Sequence, residues 1–311
     1  MSTNETEKFQ IQRRLNKMIV PCDKLSNHMF NYTPVDFEEI TRDHVKCGCI
    51  EGTDRKGEEV VTPYWLETVK DYLRTNPLTP FDREVLFHAI SAYEQGIRVI
   101  SISMALDSMT GGDEKRNVRK NQYEAIRNAF DKLSFIRIVV DLEPILKAYP
   151  KYRKNYGKET KIIGMLLPCS FLEGEINGQK TFLIKMLDES PLMTYAKMKK
   201  QVLTYDATPL DVPNQNNTPQ VMTIANYLLR RVNLIRRGVN PSILLETLYR
   251  NCGLENATKK QKQDARETID KTLNHFKSEK VIENFTWKKQ DGEYRSITIE
   301  AEIAPKFRTK K

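Results

Sequence analysis

Basic and amide side chains concentrate in two stretches of the sequence that also have the periodicity of helices. Arg and Lys can bind guanine edges or phosphates, and Asn and Gln can pair with adenine. Many of these residues fall in the first turns, and the N-terminal part of a DNA-reading helix usually meets the bases. They are Lys115, Arg116, Arg119, Lys120, Asn121, Gln122 and Arg127 in the first stretch, and Lys259, Lys260, Lys262, Gln263 and Arg266 in the second. We therefore predict two helices that contact DNA; the alternative is that each is an ordinary solvated face.

Further basic residues lie outside these helices, in a predicted loop and a predicted C-terminal hairpin. In the loop they are interleaved with tyrosines. Such residues can hold phosphates, which contributes affinity more than sequence specificity. The loop could equally be a solvated excursion between strands. The candidates are Lys151, Arg153 and Lys154 in the loop, and Lys288, Lys289 and Arg295 in the hairpin.

The overall charge agrees with a polyanionic partner. The 311 residues include 50 Lys and Arg against 41 Asp and Glu, a formal net charge of +9. This excess favours nucleic acid or an anionic membrane surface. No segment approaches the roughly twenty apolar residues that cross a bilayer, and the polar start lacks the apolar run of an export signal. We predict a cytoplasmic protein without membrane contact.

The cysteines and histidines offer one possible metal site. Cys47 and Cys49 lie near His44, with Cys22 and His28 earlier in the chain, so soft or borderline ligands could converge. Paired Cys-x-x-Cys knuckles are absent from the sequence, and a single Cys-x-Cys is a weak indication of zinc. Ordinary buried thiols are the expectation, with no metal and no cofactor.

The sequence lacks complete catalytic motifs. Residues 157–160, Gly-Lys-Glu-Thr, lack the upstream glycine and the hydroxyl directly after Lys that hold a nucleotide and Mg²⁺. The four histidines are scattered and form no His-x-His pair. Neighbouring acidic residues have no accompanying ligands. The sequence therefore predicts a protein that is not an enzyme.

Three helices followed by β-like segments are predicted to position the first basic stretch. Thr79-Pro80 begins a helix that Gly96 ends, Ser101 begins a second that ends at Gly111, and a third covers about residues 117–133. A β-branched run over residues 136–140 comes next. Strands over residues 162–172 and 181–187 flank Asn177-Gly178, a two-residue hairpin pattern, and residues 191–203 resemble another short helix.

The same order is predicted again near the second basic stretch. Thr218-Pro219 begins a helix that ends at Gly238, Asn240-Pro241 begins the next, and Thr258 can cap a third. The second of these carries Leu244, Leu245 and Leu248 and ends at Gly253. Two strands, residues 280–287 and 294–303, then flank an Asp291-Gly292 turn.

This duplicated order is typical of winged-helix domains, in which a second helix braces a third that enters the major groove beside a hairpin. The predicted fold class is α+β, with two tandem winged-helix domains and an N-terminal extension. The extension covers residues 1–75, with one predicted hairpin broken near residues 51–54, and the first domain covers residues 76–206. A segment rich in Pro, Asn and Asp, residues 207–219, is predicted to be a linker. The second domain covers residues 220–311.

The sequence resembles the plasmid replication initiators of the iteron-binding type. The resemblance lies in Leu78-Thr-Pro-Phe-Asp-Arg-Glu-Val-Leu86, in Ser-Met-Ala-Leu-Asp-Ser-Met-Thr-Gly111, and in residues 121–133 with a strand behind them. It covers residues 76–303 in architecture, but only the first helix-turn-helix in recognisable residues. It implies binding to double-stranded DNA at repeated origin sequences and recruitment of host replication proteins such as the helicase. It also implies a homodimer as one state. The N-terminal extension and the long basic loop depart from the family pattern.

Two other functions use the same parts. A transcriptional regulator of a phage or conjugative element would need the same groove-reading helices without opening an origin. Alternatively, the winged helices could dock other proteins. The replication initiator is the preferred hypothesis.

Overall fold

The computed structural model describes residues 15–31, 45–53, 59–67, 72–111, 119–152, 160–176 and 179–304, and it shows the α+β class that the sequence predicts. The helices are α1 Lys24–Asn31, α2 Tyr72–Thr75, α3 Pro80–Glu94, α4 Ile102–Thr110, α5 Lys120–Ser134, α6 Glu143–Ala148, α7 Pro191–Lys199, α8 Pro219–Ile235, α9 Leu245–Asn251 and α10 Lys259–Ser278. The strands are β1 Lys17–Pro21, β2 Val45–Thr53, β3 Glu59–Glu67, β4 Val99–Ser101, β5 Arg137–Asp141, β6 Lys161–Met165, β7 Cys169–Ile176, β8 Gln179–Met186, β9 Val202–Asp206, β10 Ser242–Leu244, β11 Asn284–Gln290 and β12 Glu293–Glu300.

Both predicted sets of helices are present, and they share one topology. The first set runs α3, β4, α4, α5 and later the hairpin β7–β8; the second runs α8, β10, α9, α10 and the hairpin β11–β12. In each set the short strand after the first helix pairs with the second strand of the hairpin. The two three-stranded sheets therefore have matching orders, β4-β8-β7 and β10-β12-β11. Each hairpin is therefore joined by backbone hydrogen bonds to the short strand that lies between the first and second helices of its set.

Side-chain caps fix several of the predicted helix starts. Thr79 and Asp82 form a reciprocal capping box at α3, and Thr258 and Gln261 form another at α10. Ser101 accepts a hydrogen bond from the backbone N–H of Met104 at α4. Each cap satisfies backbone donors that the first turn leaves without partners, and is worth about 1 kcal/mol.

Three predicted boundaries were wrong, because short strands lie where helix or one continuous strand was expected. Leu244, expected on the inner face of a helix, belongs to β10 and is 59% exposed. The helix predicted over residues 191–203 ends at Lys199, since Lys200 turns into the left-handed region with a φ of 57° and β9 follows. The strand predicted over residues 162–172 is two strands, β6 and β7, which belong to different sheets.

An inserted unit separates α5 from its hairpin. Strands β5 and β6 join β2 and β3 in a four-stranded antiparallel sheet of order β2-β3-β5-β6. The strands β2 and β3 form the N-terminal hairpin that the sequence predicts, but residues 51–53, where the break was expected, continue β2. The Asn177-Gly178 turn itself lies outside the described residues, but β7 and β8 pair in the register that such a turn requires.

The N-terminal region packs onto the first set of helices. Strand β1 pairs along its whole length with β9. The Ile19 backbone both donates to and accepts from the Ser91 hydroxyl of α3, at 2.9 and 3.0 Å. The Leu15 N–H donates to the Ser108 hydroxyl of α4 at 3.0 Å. These buried contacts make residues 15–21 part of the structure that carries α3 and α4.

A charged cluster is buried between α3 and α8, where the two sets of helices meet. Glu84 of α3 is 1% exposed and accepts hydrogen bonds from Arg83 Nε and Nη2 at 3.1 and 3.0 Å. It also accepts from both terminal nitrogens of Arg230 on α8, one of them at 2.8 Å. Arg83 Nη1 further donates to Asn31 Oδ1 at 3.0 Å, and Nη2 to the Asn251 carbonyl at 2.9 Å. The cluster thus links four helices.

His88 lies one turn further along α3 and is buried without hydrogen bonds to its ring nitrogens in the part of the chain that is described. Burial lowers the pKa of His88 to about 4, against the opposing effect of the Glu84 carboxylate. The unfolded state therefore binds more protons than the folded state between about pH 6.5 and pH 4. The contribution of His88 to stability is complete above that window and is lost as the pH falls through it.

We expect His88→Phe to flatten the pH dependence of unfolding in this window. The wild type should lose about 3 kcal/mol of unfolding free energy from this residue between pH 7 and pH 4, since one pKa unit corresponds to about 1.4 kcal/mol. Urea unfolding at a series of pH values measures it. Phe130→Leu, which removes no titratable group from the core, is the control and should keep the wild-type slope. An unchanged slope in His88→Phe would contradict the prediction.

Candidate nucleic-acid interface

Helix α5 buries one face and exposes the other. Ile126, Ala129, Phe130 and Leu133 are buried against α3 and α4. On the opposite face Lys120, Asn121 and Arg127 are exposed, with the Lys120 side chain 90% exposed. Acidic residues share this face: Lys120 Nζ lies 3.8 Å from Glu124, and Arg127 Nε lies 4.0 Å from Asp131. These exposed pairs are weak, so the basic groups can exchange them for phosphates.

Two residues at the start of α5 that are predicted to contact DNA form hydrogen bonds within the protein. Gln122 is 8% exposed, and its Nε2 donates to the Asn217 carbonyl at 2.7 Å. Arg119 Nη1 donates to Asn216 Oδ1 at 2.9 Å. Gln122 therefore faces the protein in this structure, and its role in DNA binding stays a prediction. Lys115 and Arg116 lie outside the described residues.

Helix α10 presents its basic residues at its N-terminal end. Lys259, Lys260 and Gln263 are exposed, and the first turn contains no acidic residue. Positive charges near the positive end of a helix dipole cost about 0.3–1 kcal/mol each. The position of these lysines therefore does not stabilise the helix. Binding of an anionic partner at the helix N-terminus would account for their position.

Two further residues predicted on α10 are partly buried. Lys262 Nζ donates to the Glu255 carbonyl at 3.1 Å and lies 5.6 Å from the Tyr249 ring centre. The Arg266 guanidinium lies 5.6 Å from the ring centre of Tyr294 on β12. Arg266 thus connects the helix to the hairpin, and its partial exposure leaves it at the edge of the candidate surface.

The hairpin β11–β12 is fixed against α10 by aromatic residues that the sequence reasoning missed. Trp287 Nε1 donates to Asp270 of α10 at 2.6 Å. The Tyr294 ring packs edge-on against Trp287, with ring centres 5.1 Å apart, and Lys289 Nζ lies 4.6 Å from the centre of the Tyr294 ring. An Asp-Gly turn with a flanking Trp and Tyr was visible in the sequence, but the partner of Trp287 was not.

The predicted phosphate-binding residues of this hairpin are solvent-exposed. Lys288 and Lys289 are exposed, and Arg295 is paired loosely with Glu293 at 3.7 Å. In the predicted basic loop, Lys151 is exposed on a short 3-10 turn over Pro150–Tyr152. Arg153 and Lys154 lie outside the described residues. The described basic residues therefore lie on α5, on α10 and on the hairpin β11–β12, except for Lys151, which belongs to the segment between α6 and β6.

The described residues hold no group of three or more His, Cys, Asp or Glu side chains arranged for a metal ion. The Cys47 and Cys49 side chains and His44 lie outside the described part of the structure. Cys22 is a free, half-buried thiol, and burial raises its pKa to about 11. Among the helices that the structure describes, none has both the length and the apolar character needed to span a bilayer.

No protein-family model matches the sequence, and no curated protein matches it. The chain is similar in structure to domains 2 and 3 of RctB. One crystal structure of these domains, a selenomethionine derivative, gives a TM-score of 0.42 at 10% identity, over 89% of this chain and 96% of the RctB chain. A second crystal structure of RctB domains 2 and 3 gives a TM-score of 0.42 at 10% identity, over 85% of this chain and 93% of the RctB chain.

Proposed function

We propose that this chain binds specific double-stranded DNA through two winged-helix units, α3–α5 with β7–β8 and α8–α10 with β11–β12. The observation that carries the proposal is the repeated topology, in which each unit presents an exposed helix with a basic N-terminal half next to a tethered hairpin. A helix of that width fits the major groove, and a hairpin beside it can reach the adjacent backbone. The net charge of +9 supports a polyanionic partner.

The biological role proposed is initiation of plasmid or mobile-element replication by binding to origin repeats. This step rests on the resemblance of residues 78–86 and 103–111 to iteron-binding initiators. Partners in that role are host replication proteins such as the helicase, and a second copy of the chain. Maintenance of a plasmid that carries this gene and its flanking DNA tests it. Loss of the plasmid in a host where the protein binds that DNA would favour the transcriptional regulator instead.

The first test of DNA recognition compares a helix with a hairpin. Lys120→Ala combined with Asn121→Ala should reduce the preference for a selected duplex over random-sequence duplex by about 1–3 kcal/mol, because these residues lie where a helix meets base edges. Lys288→Ala combined with Lys289→Ala should weaken both duplexes about equally, because phosphate contacts carry no sequence information. Fluorescence anisotropy titrations measure both affinities.

Circular dichroism provides the folding control for both double variants, since all four side chains are exposed. Unchanged binding in both would contradict the proposed surface. Equal loss of specific and random binding in the helix variant would place α5 on the backbone rather than on the bases.

A further inference from the structure

We infer that the connecting segment, residues 207–218, acts together with the buried contact between α3 and α8 to fix the distance and rotation between the two reading helices α5 and α10, so that the protein selects DNA by the spacing between two contacted blocks. The inference rests on the proposed DNA-binding function. It assigns a positioning role to a stretch whose composition predicts a flexible linker.

The segment is attached to the start of α5. Gln122 Nε2 donates to the Asn217 carbonyl at 2.7 Å, and Arg119 Nη1 donates to Asn216 Oδ1 at 2.9 Å. Gln122 is almost fully buried there. The segment is therefore hydrogen-bonded to the N-terminal end of α5, which is the end proposed to contact the bases.

The segment is also attached to the second unit. Gln215 Nε2 reaches Thr272 Oγ1 of α10 at 3.5 Å. The Thr218 N–H donates to the Asn216 carbonyl at 2.8 Å, and the Thr218 hydroxyl caps α8 by accepting from Val221 N–H. Since α8 packs directly on α10, residues 215–218 are connected to α5 by hydrogen bonds of 2.7 and 2.9 Å and to α10 by the longer Gln215–Thr272 contact and through α8.

The middle of the segment is buried, packs against α8 and closely approaches the C-terminal end of α4. Leu210 and Val212 are buried, at 2% and 4% exposure. Gly111 caps α4 in the left-handed region with a φ of 63°, and a Cβ added there would lie 2.1 Å from the Asp211 nitrogen. The backbone of the segment approaches α4 so closely that only glycine fits, and this contact leaves the segment little freedom to slide.

The two units also touch directly beside this contact. Asn226 Nδ2 of α8 donates to the Met109 carbonyl at the end of α4 at 2.9 Å, and Asn226 is 1% exposed. A buried hydrogen bond of this kind is costly to break without replacement. The orientation of α8 relative to α4 is therefore fixed by this hydrogen bond as well as by the close contact between Gly111 and Asp211.

Stiffness matters because DNA contacts repeat with the helical turn. A flexible linker of this length has an end-to-end distance of about 20 Å with a broad distribution. One turn of DNA is about 34–36 Å, so a flexible connection would accept blocks several base pairs closer or further apart. A docked segment allows only one separation between the two contacted blocks and only one rotation between them around the DNA axis.

Selection from a library of random 40-base-pair duplexes tests the inference. The wild type should enrich two sequence blocks at a single spacing. Gln215→Ala combined with Asn216→Ala removes two polar contacts of the segment and is expected to enrich the same two blocks over a range of spacings. When five base pairs are inserted between the blocks, roughly half a turn, wild-type affinity should fall about tenfold or more and variant affinity by about threefold or less.

Gly111→Ala is the stronger variant, because its Cβ displaces Asp211. Gly96→Ala is its matched control: Gly96 also has a positive φ, of 82°, but open space around the added atom. Gly96→Ala should keep the single spacing. If Gly111→Ala does not fold, the Gln215 and Asn216 double variant decides the question alone.

The outcomes separate this inference from the proposed function. Two blocks with one fixed spacing in both wild type and loosened variants would overturn the inference and leave DNA binding intact. Enrichment of a single block would overturn it too, since there would be no spacing to set. Absence of any enriched sequence with the wild type would overturn the proposed function itself.

Discussion

Glu84→Ala is expected to lower the free energy of unfolding by about 3–5 kcal/mol, because it leaves two buried guanidinium groups without their shared carboxylate. Glu84, Arg83 and Arg230 are all almost fully buried, and Glu84 receives hydrogen bonds from both arginines. Removing one member of a buried ionic cluster costs the desolvation of the charges that remain. Urea unfolding followed by circular dichroism measures the change.

The exposed pair Glu143–Lys147 provides the matched control. Its side chains are 51% and 70% exposed, at 3.1 Å and spaced i,i+4 on α6. Glu143→Ala should therefore cost about 0.3–0.5 kcal/mol. A loss below about 1 kcal/mol for Glu84→Ala would show that the arginines find other partners or water, and would contradict the structural role of the cluster.

The same cluster adds a second acid-sensitive range. Burial raises the pKa of Glu84, but Arg230 and Arg83 outweigh that effect and hold the pKa below its usual value. A carboxylate with a lowered pKa stabilises the folded state above the unfolded pKa, and this stability is lost as the pH falls through the folded pKa. The stability that Glu84 contributes thus begins to fall near the lower end of the pH range in which His88 titrates, and it continues to fall at lower pH.

The cluster shows what periodicity can and cannot predict. Val85, Leu86, Ala89 and Ile90 have the spacing of one apolar helix face, and all four are buried on α3. The same spacing does not indicate that Arg83 and Glu84 are buried. A 3.6-residue pattern describes one buried face, whereas α3 is covered on more than one side. Their partners, Arg230 and Asn251, are 146 and 168 residues away in the chain. No local pattern identifies such contacts.

Short strands escaped prediction for a related reason. β4 and β10 have three residues each, too few for an alternating pattern to be recognised. They exist because Ile100 faces Ile184 and Ile243 faces Ile297 across antiparallel ladders formed over long sequence separations. The caps and turns, in contrast, are encoded by neighbouring residues, and the starts at Thr79, Ser101, Thr218 and Thr258 were predicted correctly.

At the candidate interface, the sequence could identify residue types but not their surroundings. Lys259 and Lys260 are exposed at the start of α10, where the pattern placed them. Gln122 has the same predicted role in α5, yet the connecting segment covers it, because that segment returns to α5 from 95 residues away. The composition of the segment, rich in Asn and Pro, predicts flexibility. Its docking depends on a close approach to Gly111 that becomes visible only in three dimensions.

Affinity for a selected duplex is expected to fall about 10³-fold between 50 and 200 mM salt. Six exposed cations of the two helix–hairpin units are candidate phosphate contacts, namely Lys120, Arg127, Lys259, Lys260, Lys288 and Lys289. If each neutralises one phosphate, counterion release gives a slope of log K against log salt of about −5, since each contact contributes about −0.9. Anisotropy titrations at four or more salt concentrations measure the slope.

Two variants of α10 test whether the salt dependence arises from the N-terminal end of that helix. Lys259→Ala combined with Lys260→Ala should make the slope shallower by about 2, because two phosphate contacts are lost. Lys277→Ala, at the opposite end of α10 and bonded to Asn284 Oδ1 at 3.0 Å, is the matched control and should leave the slope unchanged. A wild-type slope near −1 would mean that the basic ends of α5 and α10 do not lie on the phosphate backbone together. Equal changes in both variants would show that general charge, rather than the N-terminal end of α10, governs binding.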